Sequence, residues 1–171
     1  MADLVTKRFA NFITLLNIVF GSTSIIYTMS KDYKAAALLI LMAALMDGLD
    51  GKVARRLQTS SDLGRELDSL CDMVSFGVAP AVLLYSQVLL DPYNHLGLLI
   101  ALLFIICGAY RLARFNALNL SGYFLGLPIT IAGGILALLS LAAGYLHPFA
   151  VLMLLPVLSL FMISTVRIPK F

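Results

Sequence analysis

A single all-α membrane domain, residues 1–171, is the architecture this chain reads as: six transmembrane helices behind a short N-terminal interfacial segment, with a polar cup at the cytoplasmic side. Three observations carry that expectation. Apolar residues make up 61% of the chain and charged residues 12%, against ~45–50% and ~25% in soluble domains. Apolar runs near span length recur along the sequence. The bases alternate from one connecting segment to the next.

The runs fall at roughly 11–29, 35–50, 69–90, 96–118, 124–146 and 148–166, on a chain whose mean hydropathy is +0.97. A span needs ~20 apolar residues, so 171 residues hold about six spans and short loops. Ala2–Phe9 reads as the interfacial lead into the first run. Its basic flank and apolar run lack a small-residue cleavage site ahead of a soluble domain, so no cleavable signal is expected. The second run ends at Asp50. The third begins after Asp68, and Pro80 is expected to kink it, as Pro128 and Pro156 are expected to kink the last two, because proline removes a helix donor. "DPYNH" divides the third and fourth runs. Only "HP" parts the last two, which predicts a tight hairpin. Gly133–Gly134 suits close helix packing, at a dimer seam.

The sides follow from the twelve bases. Lys7, Arg8, Lys52, Arg55, Arg56, Arg65, Arg111, Arg114, Arg167 and Lys170 fall on one side, and Lys31 and Lys34 on the other. Positive-inside bias puts both termini in the cytoplasm of a multi-pass protein of the cell membrane. The net charge of +3 is thereby assigned to topology and anionic ligands, and no nucleic-acid partner is expected. Cys71 and Cys107 sit in apolar surroundings, too few for a disulfide framework or a zinc set. They read as packing residues.

The chemistry concentrates between Met46 and Gly77. Six of the nine acidic residues (Asp47, Asp50, Asp62, Glu66, Asp68, Asp72) lie there, beside apolar runs where charge is most costly. At about 100° per residue, Asp50 lies ~60° from Asp47, and Gly51 and Ala54 within ~40° of it. Gly64, Asp68, Asp72 and Ser75 share one face of the next helix. If the two helices pack together, four carboxylates converge over small residues. They cannot all stay ionised near lipid without counter-charge. All-oxygen ligands without a nearby His favour Mg²⁺, Mn²⁺ or Ca²⁺, and four Asp can bridge two such ions in phosphoryl transfer. Arg55 can pair with phosphate oxygens. Asp62 and Glu66 read as acids near a helix N-terminus.

The spacing Asp47-x2-Asp50-Gly51-x2-Ala54-Arg55-x8-Gly64-x3-Asp68-x3-Asp72 resembles, without a gap, the motif of the CDP-alcohol phosphatidyltransferases. The resemblance covers the whole chain. It implies a CDP-diacylglycerol-type lipid substrate, release of CMP, and two divalent cations, Mg or Mn, on Asp47, Asp50, Asp68 and Asp72. It also implies that Asp72 is the general base, that Gly51 and Arg55 contact the CDP moiety with Ala54, Ser61 and Gly64 beside them, and that Asn11 and Thr14, with Asn17 at the same spacing, lie near the nucleotide, the other reading of these three being helix–helix hydrogen bonds. A homodimer is expected on the same ground.

"SFGVAPA" (75–81), "YRLARFN" (110–116), "GYFLGLPIT" (122–130) and "MISTVRIPKF" (162–171) resemble the serine-using branch of that family, with Thr130 standing where a Pro is frequent. The acceptor implied is L-serine, onto whose hydroxyl a phosphatidyl or archaetidyl group is transferred. Arg111 and Arg114, at i and i+3, are placed to grip a carboxylate, with Ser75 nearby, or else to snorkel to the interface as topology markers. Asn116 is a candidate for the ammonium or a helix cap. The alternatives are the same reaction on glycerol 3-phosphate or inositol 1-phosphate, an Asp-rich prenyltransferase, and a cation or proton transporter. A transporter requires an ionisable residue near the bilayer midplane, and the second to fourth runs carry none at their centres.

Overall fold

The computed structural model describes residues 2–57, 62–118 and 123–169; for residues 2–11, 13, 50–57, 62, 123–125 and 167–169 it describes the backbone alone. The first two helices, α1 (Ala2–Met29) and α2 (Tyr33–Leu57), form a hairpin. Its turn is a Schellman motif: Asp32 N–H donates to Tyr27 O and Lys31 N–H to Thr28 O, both at 3.0 Å. Lys31 takes the left-handed conformation (φ 61°) that glycine usually supplies there. Asp32 then caps α2, its Oδ1 accepting from Ala35 N–H at 3.1 Å. The interface is lined by small residues. Ser24 and Thr28 of α1 are buried, as are Ala36, Ala37 and Ala43 of α2, and Ser24 Oγ donates across to Ala36 O at 2.8 Å. Small residues let helix axes approach and make such a bond possible.

The chain from 62 to 118 is helical throughout but neither straight nor uniform. It runs α3 (Asp62–Asp72), a π-helical segment Met73–Val78, α4 (Ala79–Leu84), a second π segment Tyr85–Leu89, and α5 (Leu90–Leu118). Within α5, Asn94 leaves helical geometry (φ 25°, ψ −99°) and the chain reverses. Gly97 meets Leu89 on one side of the turn, and Asn116 reaches Ser69 at 3.1 Å and Glu66 at 3.2 Å at the far end. The third and fourth apolar runs are thus the two arms of an antiparallel pair. The kink expected at Pro80 takes the form of the first π segment. Ala79 N–H bonds Val74 O, five residues back, and Pro80, without an N–H, enters α4 at its first turn.

The last elements are α6 (Ile129–Leu141), a 3₁₀ turn Ala143–Tyr145 and α7 (Pro148–Ile163). Pro128 does not kink a helix within 124–146. It stands before α6 as the cap residue, because residues 123–125 are extended and Gly126 (φ 72°) turns the chain ahead of it. Those residues form β1 (Tyr123–Leu125), which pairs antiparallel with β2 (Arg167–Pro169), Phe124 opposite Ile168. This small ribbon is the one departure from an all-α expectation among the described residues. Pro156 lies inside α7.

The core joins α2, α4, α5, α6 and α7 around Ile40, Phe76, Leu83, Phe104, Leu136 and Leu155, all fully buried. Large apolar side chains also cover the outside: Leu99, Ile106, Leu138 and Leu160 are each more than half exposed. By length and composition one helical stretch, Leu63–Leu118, is long and apolar enough to cross a membrane; Thr14–Met29, Ile129–Leu141 and Pro148–Ile163 are shorter apolar helices.

The glycine pair on α6 divides in two. A Cβ on Gly133 would lie 2.6 Å from Phe76 O and 2.7 Å from Phe76 Cα, whereas one on Gly134 would meet nothing within 4 Å. Gly133 is thus engaged inside this chain, where α6 rests on the π segment. Gly133→Ala is expected to cost about 1–3 kcal/mol by overpacking. Gly134→Ala is expected to stabilise by about 0.5–1 kcal/mol through the unfolded chain's lost freedom. Thermal unfolding of the two variants in detergent checks both signs.

Candidate active site

Asp47 stands just past the middle of α2, and Asp68 and Asp72 stand one turn apart on α3. Tertiary packing brings the three together: one carboxylate oxygen from each lies within 4.8 Å of the others. Asp72 is buried, at 8% exposure, and Asp47 and Asp68 are half-buried. Two unit charges at that separation repel by roughly 3–4 kcal/mol at an effective dielectric of about 20. Asp47 and Asp72 interact through their carboxyls, and carboxylates held this close call for a counter-charge. A hard divalent cation fits this donor set, since the ligands offered are all carboxylate oxygens on converging helices.

Around this group the structure arranges several polar side chains. Thr130, on the first turn of α6, hydrogen-bonds the Asp47 carboxylate. Asn17 of α1 is fully buried, and its Nδ2 donates to Asp72 Oδ1 at 3.5 Å. Arg111 of α5 is buried at 6% exposure, close enough to Asp72 for the two charges to interact. Thr14 is buried on α1 one turn before Asn17. Gly64 lies one turn before Asp68 on the half-buried side of α3.

Other residues singled out in the sequence are engaged within the protein. Ser75 is fully buried and its Oγ donates to Asn17 O at 3.0 Å. A Cβ on Gly21 would lie 2.7 Å from Ser75 Cα, so α1 and the π segment touch through backbone. Arg114 donates from Nη1 to Ile163 O at 2.9 Å and from Nη2 to Ser164 O at 3.0 Å. It closes the C-terminal end of α7, whose last carbonyls have no helical partner. Asn116 neither caps a helix nor stands free. It ties α5 to α3 through Glu66 and Ser69, beside a cleft of about 210 Å³ that Leu70, Met73 and Leu112 also line. Asp50, Gly51, Ala54 and Arg55 lie on the last turns of α2 and Asn11 on α1, but their side chains are outside those described. Ser61 lies outside the described residues.

The sequence pattern places Asn17 beside Asn11 and Thr14 but not against Asp72, and marks Thr130 only as a departure from the resemblance. The i, i+3, i+6 polar stripe on an apolar helix was the signal for Asn17. No local signal marks Thr130, whose partner is 83 positions away in the chain (130 less 47).

The chain belongs to the CDP-alcohol phosphatidyltransferase family, whose model matches residues 7–165. It is 42% identical over 164 residues to the CDP-diacylglycerol–serine O-phosphatidyltransferase of Methanocaldococcus jannaschii, covering 95% of this chain and 74% of the relative. It is 37% identical over 172 residues to the Helicobacter pylori protein of the same name, covering 95% and 72%. It is 36% identical over 173 residues to the archaetidylserine synthase of Methanothermobacter thermautotrophicus, covering 96% and 73%.

The Arg114 bonds generate a stability prediction. Arg114→Ala is expected to lose roughly 1–3 kcal/mol, the range for hydrogen bonds from a charged group. Arg114→Lys should recover less than half of that, because one ammonium does not reproduce the planar fork that reaches two carbonyls. Full recovery by Lys in a thermal melt would contradict the two-carbonyl role.

Proposed function

We propose that the protein is a serine phosphatidyltransferase that takes a phosphatidyl or archaetidyl group from a CDP-activated lipid, joins it to the hydroxyl of L-serine and releases CMP. The observation that carries this reading is the meeting of Asp47, Asp68 and Asp72 in a chain matched by the family model over residues 7–165. The printed names of the relatives support serine as the acceptor. One of them is an archaetidylserine synthase, so both lipid types are included.

Asp47, Asp50, Asp68 and Asp72 would hold two divalent cations, Mg²⁺ or Mn²⁺, which when bound would offset the charge of the pyrophosphate oxygens. Asp72 takes the proton from the serine hydroxyl. The serine oxygen forms a bond to the lipid-side phosphorus, the bond from that phosphorus to the CMP oxygen breaks, and CMP leaves with the electron pair. Arg55 steadies the phosphate charge. Gly51, Ala54 and Gly64 leave room for the CDP moiety, and Asn11, Thr14 and Ser61 line it. Arg111 grips the serine carboxylate; Ser75 and Arg114 hold the surrounding helices. In this reading six spans cross the cell membrane with the site and both termini on the cytoplasmic side, supported by the ten-to-two division of bases and by the two arms that reverse at Asn94. The enzyme works as a homodimer.

The test is CMP release by purified protein in detergent with CDP-diacylglycerol, comparing serine, glycerol 3-phosphate, inositol 1-phosphate and no acceptor. Release is expected with serine. A chelator should stop it, and added Mg²⁺ or Mn²⁺ should restore it. Asp50→Asn and Asp68→Asn should each lower the rate by at least about a hundredfold, on the order of 2.7 kcal/mol in the barrier, without lowering the melting temperature. Release with another alcohol alone would reassign the acceptor. Cation binding with no release from any acceptor would favour an ion-handling protein.

A further inference from the structure

Among the described residues, two buried side-chain polar atoms have no hydrogen-bond partner: Asn17 Oδ1 and Arg111 Nε. Both residues converge on Asp72, Asn17 from α1 through the 3.5 Å bond and Arg111 from α5 through its charge. Buried polar atoms almost always find partners, and the exceptions need a reason. These two are opposite in kind, one a bare acceptor and one a donor on a cation.

The orientation of Asn17 is set by its neighbours. An ionised Asp72 only accepts, so the amide must turn its NH₂ toward it, which leaves the carbonyl oxygen on the other branch. The backbone at this residue is tied to the π segment, its oxygen accepting from Ser75 Oγ at 3.0 Å. A small molecule that reached these atoms from Asp72 would meet a bare acceptor on Asn17 and a guanidinium N–H on Arg111.

We propose that Asn17 and Arg111 are the two poles of the acceptor subsite, Asn17 Oδ1 accepting from the α-ammonium of serine and Arg111 Nε donating to its α-carboxylate, while the hydroxyl is presented to Asp72. The proposal rests on the serine-transferase reading above and adds Asn17 as the residue that selects for the ammonium. Glycerol 3-phosphate and inositol 1-phosphate carry no ammonium and would leave Oδ1 without a charged donor, and a site built for such a group discriminates against analogues that lack it.

The experiment uses the full-length protein in detergent with CDP-diacylglycerol and Mn²⁺. It compares kcat/KM of CMP release for L-serine, 3-hydroxypropionate (no ammonium) and ethanolamine (no carboxylate). Wild type should prefer serine to both. Asn17→Leu keeps the volume and removes both polar atoms. It should raise the serine KM about ten- to a hundredfold, the range for a hydrogen bond to a charged group, and collapse the serine to 3-hydroxypropionate ratio. It should leave the serine to ethanolamine ratio and the KM for CDP-diacylglycerol within threefold. Arg111→Gln should give the reverse pattern. Asn17→Ala serves if the Leu variant does not fold. Equal slowing of all three acceptors by the Asn17 variants would mean a purely structural role and overturn the subsite, as would wild type using 3-hydroxypropionate as well as serine. Absence of serine-dependent release by wild type would instead overturn the proposed function itself, and the subsite with it.

Discussion

The rest of this structure is organised around holding three like charges together inside an apolar protein. Asp47, Asp68 and Asp72 present oxygens within 4.8 Å of one another, and their repulsion pushes α2 and α3 apart. What opposes it is packing elsewhere. The small-residue hairpin of α1 and α2 is closed by the Schellman turn at Lys31 and the Asp32 cap, and α1 in turn packs along α3 and the first π segment. Helix association of this kind depends on close backbone approach more than on transfer of apolar surface. Gly21 against Ser75 and Gly133 against Phe76 are therefore as much a part of the acidic site as the carboxylates are.

The π segment Met73–Val78 connects these two demands. It directly follows Asp72 and directly precedes the turn that carries Pro80. Widening the helix there accommodates the missing proline N–H. It also brings Ser75 to α1 and the Phe76 backbone to α6. The face that carries Asp68 and Asp72 is thus positioned by contacts in the next turn and a half of the same rod. Wide turns of this sort are frequent at functional sites, and here the reason is visible: one local change in helix pitch sets the relation of α3 to both α1 and α6.

The polar side chains away from the acidic group obey the same economy of partners. Ser140 and Gln87 bond each other and the Ser140 carbonyl, Ser159 bonds back to Leu155 O, and Arg114 closes α7. In an apolar surrounding an unpaired polar group is costly, so each is paired locally or across one helix interface. Against that background the orphan atoms on Asn17 and Arg111 stand out, on two residues that both interact with Asp72.

Much of this was legible from the chain alone. The division into helical rods follows from hydropathy, and even the reversal near "DPYNH" follows, because local composition decides where a helix can continue. The candidate ligands are equally local: Asp68 and Asp72 share a face because four residues make about one helical turn. Tertiary structure decided which of the remaining polar residues face the carboxylates. Ser75 and Arg114 lie on promising faces yet bond to carbonyls 58 and 49 positions away. Thr130, at a position with no pattern of its own, reaches Asp47. The ribbon of residues 123–125 and 167–169 takes up, at 124–125, the start of what apolarity alone reads as helix. Periodicity reports the face a side chain occupies within its own helix. It carries no information on which distant backbone atom that face will meet, because that depends on how closely the helices approach, and glycines scattered from position 21 to 133 set that distance.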